Sequence, residues 1–241
     1  MFPTPQEQPA HGGARAGSGP KPKGSRSGVS HHGRPEITRH TPVHVTARVL
    51  PHVWNLRSRR AFDIIETALA GARPWREFRV VHFSVQGEHL HFIVEADGNR
   101  ALSEGMQGLS VRLAKGLNRM MGRHGGVFAD RFHAHVLETP SEVRNALAYV
   151  LLNHRSHLAR IGAPAPASLD RFSSAATLDG WRDGRAADAP IVTSAAQTWL
   201  LRTGWRRRGL LSPEERPALP RRGDLTGADG AFAFRDLRTG A

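Results

Sequence analysis

Residues 78–96 have the sequence FRVVHFSVQGEHLHFIVEA, in which two apolar runs flank a short Gln-Gly turn. Their β-branched and aromatic content predicts two strands, 78–85 and 89–96, joined as a hairpin. Within the second strand, alternation directs the apolar residues to the core and both His89 and His91 to the opposite face. The hairpin therefore predicts a sheet that carries a pair of imidazoles on one side.

Outside the hairpin, the hydrophobic pattern switches between strand alternation and helical spacing. Alternation predicts strands over 43–49 and 132–138, and helical spacing predicts helices over 58–72, 99–122 and about 139–160. The order β-α-β-β-α-β-α predicts an α+β, ferredoxin-like (split βαβ) fold, with an antiparallel sheet and helices on one face. The other face of the sheet would then be free to meet a ligand.

The composition narrows the possible functions. The 241 residues carry a net charge of +13, from 31 Arg and three Lys against 21 acidic residues. Arg suits phosphate recognition, so a polyanionic partner is favoured, although a GC-rich genome would also enrich Arg. The absence of Cys excludes disulfides, thiolate metal sites and cysteine nucleophiles. No apolar run approaches the roughly 20 residues that span a bilayer, so we expect a cytoplasmic chain with no membrane partner.

Changes in composition divide the chain into three segments. Residues 1–41 are rich in Gly and Pro and predict a disordered basic arm, 42–162 hold the predicted fold, and 163–241 form a C-terminal extension. The extension is predicted to be partly helical around 195–211 and disordered at its end. Two interpretations of that helical part stay open: docking onto the main domain through Trp199, Leu200 and Trp205, or nucleic-acid contact through Arg206, Arg207 and Arg208.

The strand that holds His89 and His91 is a candidate metal-binding element. Two imidazoles about 7 Å apart along a strand can converge on one cation. Exposed polar positions on a half-buried strand would give the same pattern. A rival pair, His133 and His135, has the same spacing on a later strand, with only Ala134 between them as an anchor.

The last predicted helix holds the single tyrosine of the sequence, Tyr149. Asn153 follows it by four residues, so both side chains project from one face of the helix, one turn apart. Such a pair could present a hydroxyl nucleophile beside a metal ligand. It could equally be a tyrosine that packs on the sheet with a nearby amide.

These motifs together resemble the HUH-type single-tyrosine transposases, and more closely the REP-associated tyrosine transposases. The likeness rests on His89-Leu90-His91 and on Tyr149-x-x-x-Asn153, in this order of elements, and it covers roughly residues 40–160. The stretches that carry it are 80–95 (VVHFSVQGEHLHFIVE), 127–137 (VFADRFHAHVL) and 139–157 (TPSEVRNALAYVLLNHRSH). The chain departs from the pattern at His154, where relatives commonly have Pro, and in the arm and the extension.

The resemblance implies a mechanism and a substrate. Mg²⁺ or Mn²⁺ would be held by His89, His91 and Asn153, a donor set that suits either ion better than structural zinc. Tyr149 would attack DNA and leave a 5′-phosphotyrosine and a free 3′-OH. The implied substrate is single-stranded DNA with imperfect hairpins (REP-like inverted repeats), in a bacterial, nucleoid-associated setting.

Two alternative functions are also compatible with the sequence. The first is a non-catalytic, domesticated DNA- or RNA-binding domain on the same scaffold. The second is a zinc hydrolase, against which the lack of an HExxH helix counts.

On the last helix, Arg144, Arg155 and Arg160 are candidate phosphate contacts, unless they form an ordinary solvated helix face.

Overall fold

The computed structural model describes residues 36–73, 75–160, 162–164, 168–184, 190–215 and 217. The predicted arm lies outside these residues up to position 35, and so does the predicted end of the chain beyond 217. The described part begins inside the predicted arm, where Ile37 is buried and donates its N–H to Asn99 Oδ1 at 2.8 Å. The described residues therefore begin a few positions before the predicted boundary at residue 41.

The elements follow the predicted order, and the ferredoxin-like fold is confirmed. Four strands form one antiparallel sheet in the order β2-β3-β1-β4, which is the spatial order of the split βαβ arrangement. The bounds are β1 Val43–Arg48, α1 Arg59–Ala70, β2 Phe78–Val85, β3 His89–Ala96, α2 Asn99–Met120, β4 His133–Val136, α3 Pro140–Arg160 and α4 Trp199–Arg202, with 3-10 helices at Ser174–Thr177 and Gly204–Arg208.

Helices α1 and α2 cover one face of the sheet and build the larger core with it. Phe62 and Ile65 of α1 and Leu109 of α2 are buried there. Gly105 brings α2 close to β2, because a Cβ at this position would lie 2.1 Å from the ring of Phe78. The Phe78 ring thus fills the space that a larger side chain at position 105 would need.

Helix α3 packs on the opposite face, which corrects the expectation that the helices share one face. Its apolar side chains form a second core with Val81 and Ile93 of the sheet. A register shift between Val80 and His82 marks a bulge in β2, and Val81 at this bulge is buried against the α3 layer. The second face is therefore partly covered rather than open.

The C-terminal extension completes the second core. Leu200, Leu201 and Trp205 are buried in it, as the docking interpretation predicted for Leu200 and Trp205, whereas Trp199 is 50 % exposed. The buried carboxylate of Glu95 accepts the backbone N–H groups of Gln197 and Thr198 at 2.8–3.0 Å. A buried carboxylate is costly unless it accepts hydrogen bonds. The backbone donors of the extension therefore hold the extension against the sheet.

An ion pair forms a second contact between the C-terminal extension and the main domain. Asp170 of the extension forms a bidentate ion pair with Arg57, at 2.8 and 2.9 Å, in a partly buried position.

None of the helices in the described part of the chain is long and apolar enough to cross a membrane.

Candidate active site

Strand β3 holds His89 and His91 on the α3 side of the sheet, as the alternation predicted. Their rings are nearly parallel, with centroids 6.2 Å apart. His91 lies opposite Thr46 on the neighbouring strand β1, and Thr46 Oγ1 lies 3.3 Å from His91 Nδ1. This contact leaves His91 Nε2 as the ring nitrogen that faces away from the strand pair.

Helix α3 carries Tyr149 beside His91. The helix begins with a capping box, in which Thr139 Oγ1 accepts from Glu142 N at 3.2 Å and Glu142 Oε2 accepts from Thr139 N at 2.9 Å. Tyr149 is half-buried, and its ring meets the His91 ring edge-on, with centroids 5.4 Å apart. The cap and the apolar face of α3 thus set where the phenol stands.

Asn153 lies one helical turn beyond Tyr149 and reaches the same imidazole. Its amide Nδ2 lies 3.5 Å from His91 Nε2, and both side chains are buried. Rotating the amide exchanges Nδ2 for Oδ1, since the two ends are equivalent in shape. The four residues singled out in the sequence, His89, His91, Tyr149 and Asn153, are therefore brought together on one face of the sheet.

The donor set fits a divalent cation. Two ligands of an octahedral ion of Mg²⁺ size lie about 3 Å apart, which is close to the separation between His91 Nε2 and the Asn153 amide. His89 Nδ1 lies 3.8 Å from Glu88 Oε1, which is beyond hydrogen-bond distance. Within the described residues, no group of three or more His, Asp or Glu is arranged to hold a metal ion.

His44 is a site residue that the sequence analysis did not single out. It lies on β1 with its ring 5.6 Å from the His91 ring and 5.8 Å from the Tyr149 ring, between centroids. Burial lowers the pKa of His44 to about 4, with smaller contributions from His135 and His133. The His44 imidazole is therefore neutral at physiological pH.

Thr46 and His44 could have been recognised from the polar alternation of β1. Their relation to His91 depends on the register of β1 against β3, which alternation does not specify. The rival pair His133 and His135 lies on β4, opposite Thr46 and His44 respectively, so it lines the same face. It is one strand further from Tyr149 than His44.

The arginines predicted to contact DNA fall into different situations. Arg144 forms a bidentate ion pair with Glu215, at 2.8 and 2.9 Å, and donates to Gly209 O, so its charge is balanced within the protein. Arg206 pairs with Asp179 at 2.6 Å. Arg155 lies half-buried on α3, Arg207 and Arg208 are exposed, and the side chain of Arg160 lies outside the described residues.

Solved structures of similar fold share little sequence with the chain. No protein-family profile and no curated protein matches the chain by sequence. Among solved structures, the chain is similar in fold to a REP-associated tyrosine transposase bound to a REP hairpin, with 17 % identity and a TM-score of 0.49 over 68 % of this chain and 94 % of that one. A candidate transposase from Deinococcus radiodurans R1 is similar at 8 % identity and a TM-score of 0.35, over 56 % of this chain and 98 % of that one.

Proposed function

We propose that the chain is a metal-dependent, single-stranded DNA endonuclease and transposase that uses Tyr149 as its nucleophile. The observation that carries this proposal is the convergence of Tyr149 and Asn153 on His91, at 5.4 Å between rings and 3.5 Å between nitrogens. A tyrosine packed on the sheet for stability alone would not need a buried imidazole and a buried amide facing each other beside it.

His89, His91 and Asn153 would hold Mg²⁺ or Mn²⁺. The bound cation would act as a Lewis acid on the scissile phosphate and neutralise the charge that develops there. Thr46 would orient the His91 imidazole through its Nδ1 atom. The partly buried position of Tyr149 limits the directions from which its hydroxyl can meet a phosphate.

The chemical step exchanges one phosphodiester for another. Tyr149 Oη forms a bond to phosphorus as its proton passes to a base, and the bond from phosphorus to O3′ breaks. The leaving oxygen takes up a proton and becomes a free 3′-OH, while the 5′ side stays on the protein as a phosphotyrosine. Because the linkage keeps the energy of the diester, a second 3′-OH can reverse the step and join strands without a nucleotide cofactor.

Covalent trapping tests the proposal. The chain is incubated with Mn²⁺ and a pool of single-stranded hairpin DNAs that have randomised flanks and a 3′ label, and products are separated under denaturing conditions. We expect a labelled adduct at the size of the protein, absent in EDTA and absent in Tyr149→Phe. His124→Ala, at an exposed position outside the site, is the matched control and should form the adduct as the wild type does.

Two results would contradict the proposal. One is an adduct that survives Tyr149→Phe, and the other is the absence of any adduct across the pool. If DNA still binds in the second case, the chain is the non-catalytic nucleic-acid-binding domain considered from the sequence.

A further inference from the structure

A cleft of about 710 Å³, distinct from the candidate active site, lies at the end of the sheet where β2 begins and β3 ends. A volume of this size is within the range of pockets that take small organic ligands, about 300–1,000 Å³. Five parts of the chain line it: the segment before β1, the connection from α1 into β2, the start of β2, the residue after β3, and the C-terminal extension. The lining residues used below are Arg39, Arg73, Trp75, Arg76, Arg79, Asp97 and Trp199.

The cleft is separate from the histidine and tyrosine site. Its floor includes Arg79, which pairs with Glu95 on β3, and Glu95 is four residues along the strand from His91. At about 3.3 Å per residue, the two positions are roughly 13 Å apart. A group bound in the cleft would therefore not occupy the position of the proposed cation.

The cleft has an excess of positive charge. Arg79 is balanced by Glu95 and Asp97. Arg39, Arg73 and Arg76 are exposed, and among the described residues none of the three forms an ion pair. Arg73 is oriented by the carbonyl of Ile191, to which its Nη1 donates at 3.0 Å. Three cationic groups at one rim suit the phosphates of a nucleic acid.

Two indole rings stand at the same cleft and are held in place. Trp199 is 50 % exposed, lies over Gly204, where a Cβ would approach its ring to 2.7 Å, and has the guanidinium of Arg207 5.1 Å from its ring centroid. Trp75 lies over Gly108 in the same way, at 2.6 Å. An exposed indole beside cations is the arrangement on which unpaired bases stack in single-strand-binding proteins.

We propose that this cleft binds unpaired nucleotides of a DNA strand, with phosphates at Arg39, Arg73 and Arg76 and a base on Trp199. Base pairs in a duplex are stacked on each other and cannot lie on the indole, so the cleft selects single strands. The choice of DNA over RNA rests on the proposed function. The position of the cleft assigns it to a part of the strand away from the scissile phosphate.

Fluorescence anisotropy tests this proposal with defined probes. The full chain is titrated in EDTA, which prevents metal-dependent cleavage, against fluorescein-labelled dT20, rU20 and a blunt 20-base-pair DNA duplex. The variants are Trp199→Ala and the double variant Arg73→Ala with Arg76→Ala. The matched controls are Trp54→Ala, at a 52 % exposed indole elsewhere, and Arg59→Ala with Arg60→Ala, at exposed positions on α1.

We expect Trp199→Ala to weaken dT20 binding about 5- to 100-fold, the range measured for losing one stacked base. The double arginine variant should weaken it about tenfold or more and reduce the slope of log K against log salt by about 1.4, since two phosphate contacts on a single strand are lost. The duplex affinity and both controls should change less than twofold.

The proposal is overturned if both cleft variants bind dT20 as the wild type does, or if they lose dT20 and duplex equally. Tighter binding of rU20 with the same dependence on the cleft would replace DNA with RNA. These outcomes are independent of covalent trapping: a chain that forms no adduct but loses dT20 binding with Trp199→Ala retains the cleft and not the proposed chemistry.

Discussion

Thr46 is the residue that fixes how His91 meets the site, because its hydroxyl lies 3.3 Å from His91 Nδ1. Loss of such a contact to a metal-binding imidazole typically lowers metal affinity about 10- to 100-fold. We therefore predict that Thr46→Val weakens Mn²⁺ binding to this extent in isothermal titration calorimetry. Thr46→Ser keeps the hydroxyl and should stay near the wild type, and equal affinities for Val and Ser would contradict the assignment.

His89 and His91 have a more direct role in the proposal. Replacing either by Ala should lower the rate of DNA cleavage about 100-fold or more, because stabilisation of charge at the phosphate is lost. DNA affinity, measured by anisotropy in EDTA, should change less than threefold. A variant that lost binding and cleavage in parallel would indicate a structural or binding role instead.

Much of the site could be predicted at this scale, because its residues follow simple periods. Strand alternation placed His89 and His91 together, and the spacing of four placed Tyr149 and Asn153 together. The contribution of Thr46 and His44 could not be predicted, since it depends on which residue of β1 stands opposite His91. Neighbouring strands pair through backbone groups that carry no residue identity.

At the scale of elements, the first turn of α3 determines how firmly Tyr149 is held. Thr139 and Glu142 form the capping box at this turn. Thr139→Ala should lower the free energy of unfolding by about 1 kcal/mol, the usual effect of losing a helix cap. Urea denaturation measures it, with Ser141→Ala in the same turn as the control, and a loss as large in the control would contradict the assignment.

Arg144 joins α3 to the C-terminal extension through Glu215. Arg144→Ala should lower the free energy of unfolding by about 1–3 kcal/mol, since charge-assisted hydrogen bonds are lost from a partly buried position. Its affinity for dT20 should change less than twofold, because Glu215 already balances the charge. A stable variant with clearly weaker DNA binding would restore the phosphate contact expected from the sequence.

The elements themselves were largely predictable, and their placement was only partly so. The hairpin strands have the predicted bounds, because alternation and the Gln-Gly turn define both ends. The face chosen by α3 was not predictable, since a helix that is apolar on several sides can pack on either face of a sheet. The extension was not predictable in detail either, because polar anchors such as Glu95 and Asp170 hold it in place.

For the whole molecule, two half-buried histidines on the α3 face connect stability to pH. Burial lowers the pKa of both His44 and His82 to about 4, from an ordinary value of 6.5. Between pH 4 and 6.5, the unfolded chain therefore binds protons at these two histidines that the folded chain does not bind. The stability present above pH 6.5 should decrease as the pH falls towards 4.

His82 allows this pH dependence to be measured away from the proposed catalytic residues. Its Nδ1 lies 3.2 Å from Ser174 Oγ of the extension. Between pH 7.5 and 5 the wild type should lose about 2 kcal/mol more than His82→Asn, which cannot titrate, in urea denaturation. Parallel pH profiles for the two proteins would contradict the neutral state of His82 in the folded protein.

The central claim is that Tyr149 forms the covalent bond to DNA, and peptide mapping of the trapped adduct tests it most directly. Trypsin cleaves after Arg144 and Arg155, so the phenol lies in the peptide of residues 145–155, NALAYVLLNHR. After nuclease digestion, mass spectrometry should find this peptide with a nucleotide linked through its 5′ phosphate to Tyr149. A nucleotide on any other peptide, or a trapped complex in which this peptide is unmodified, would contradict the account.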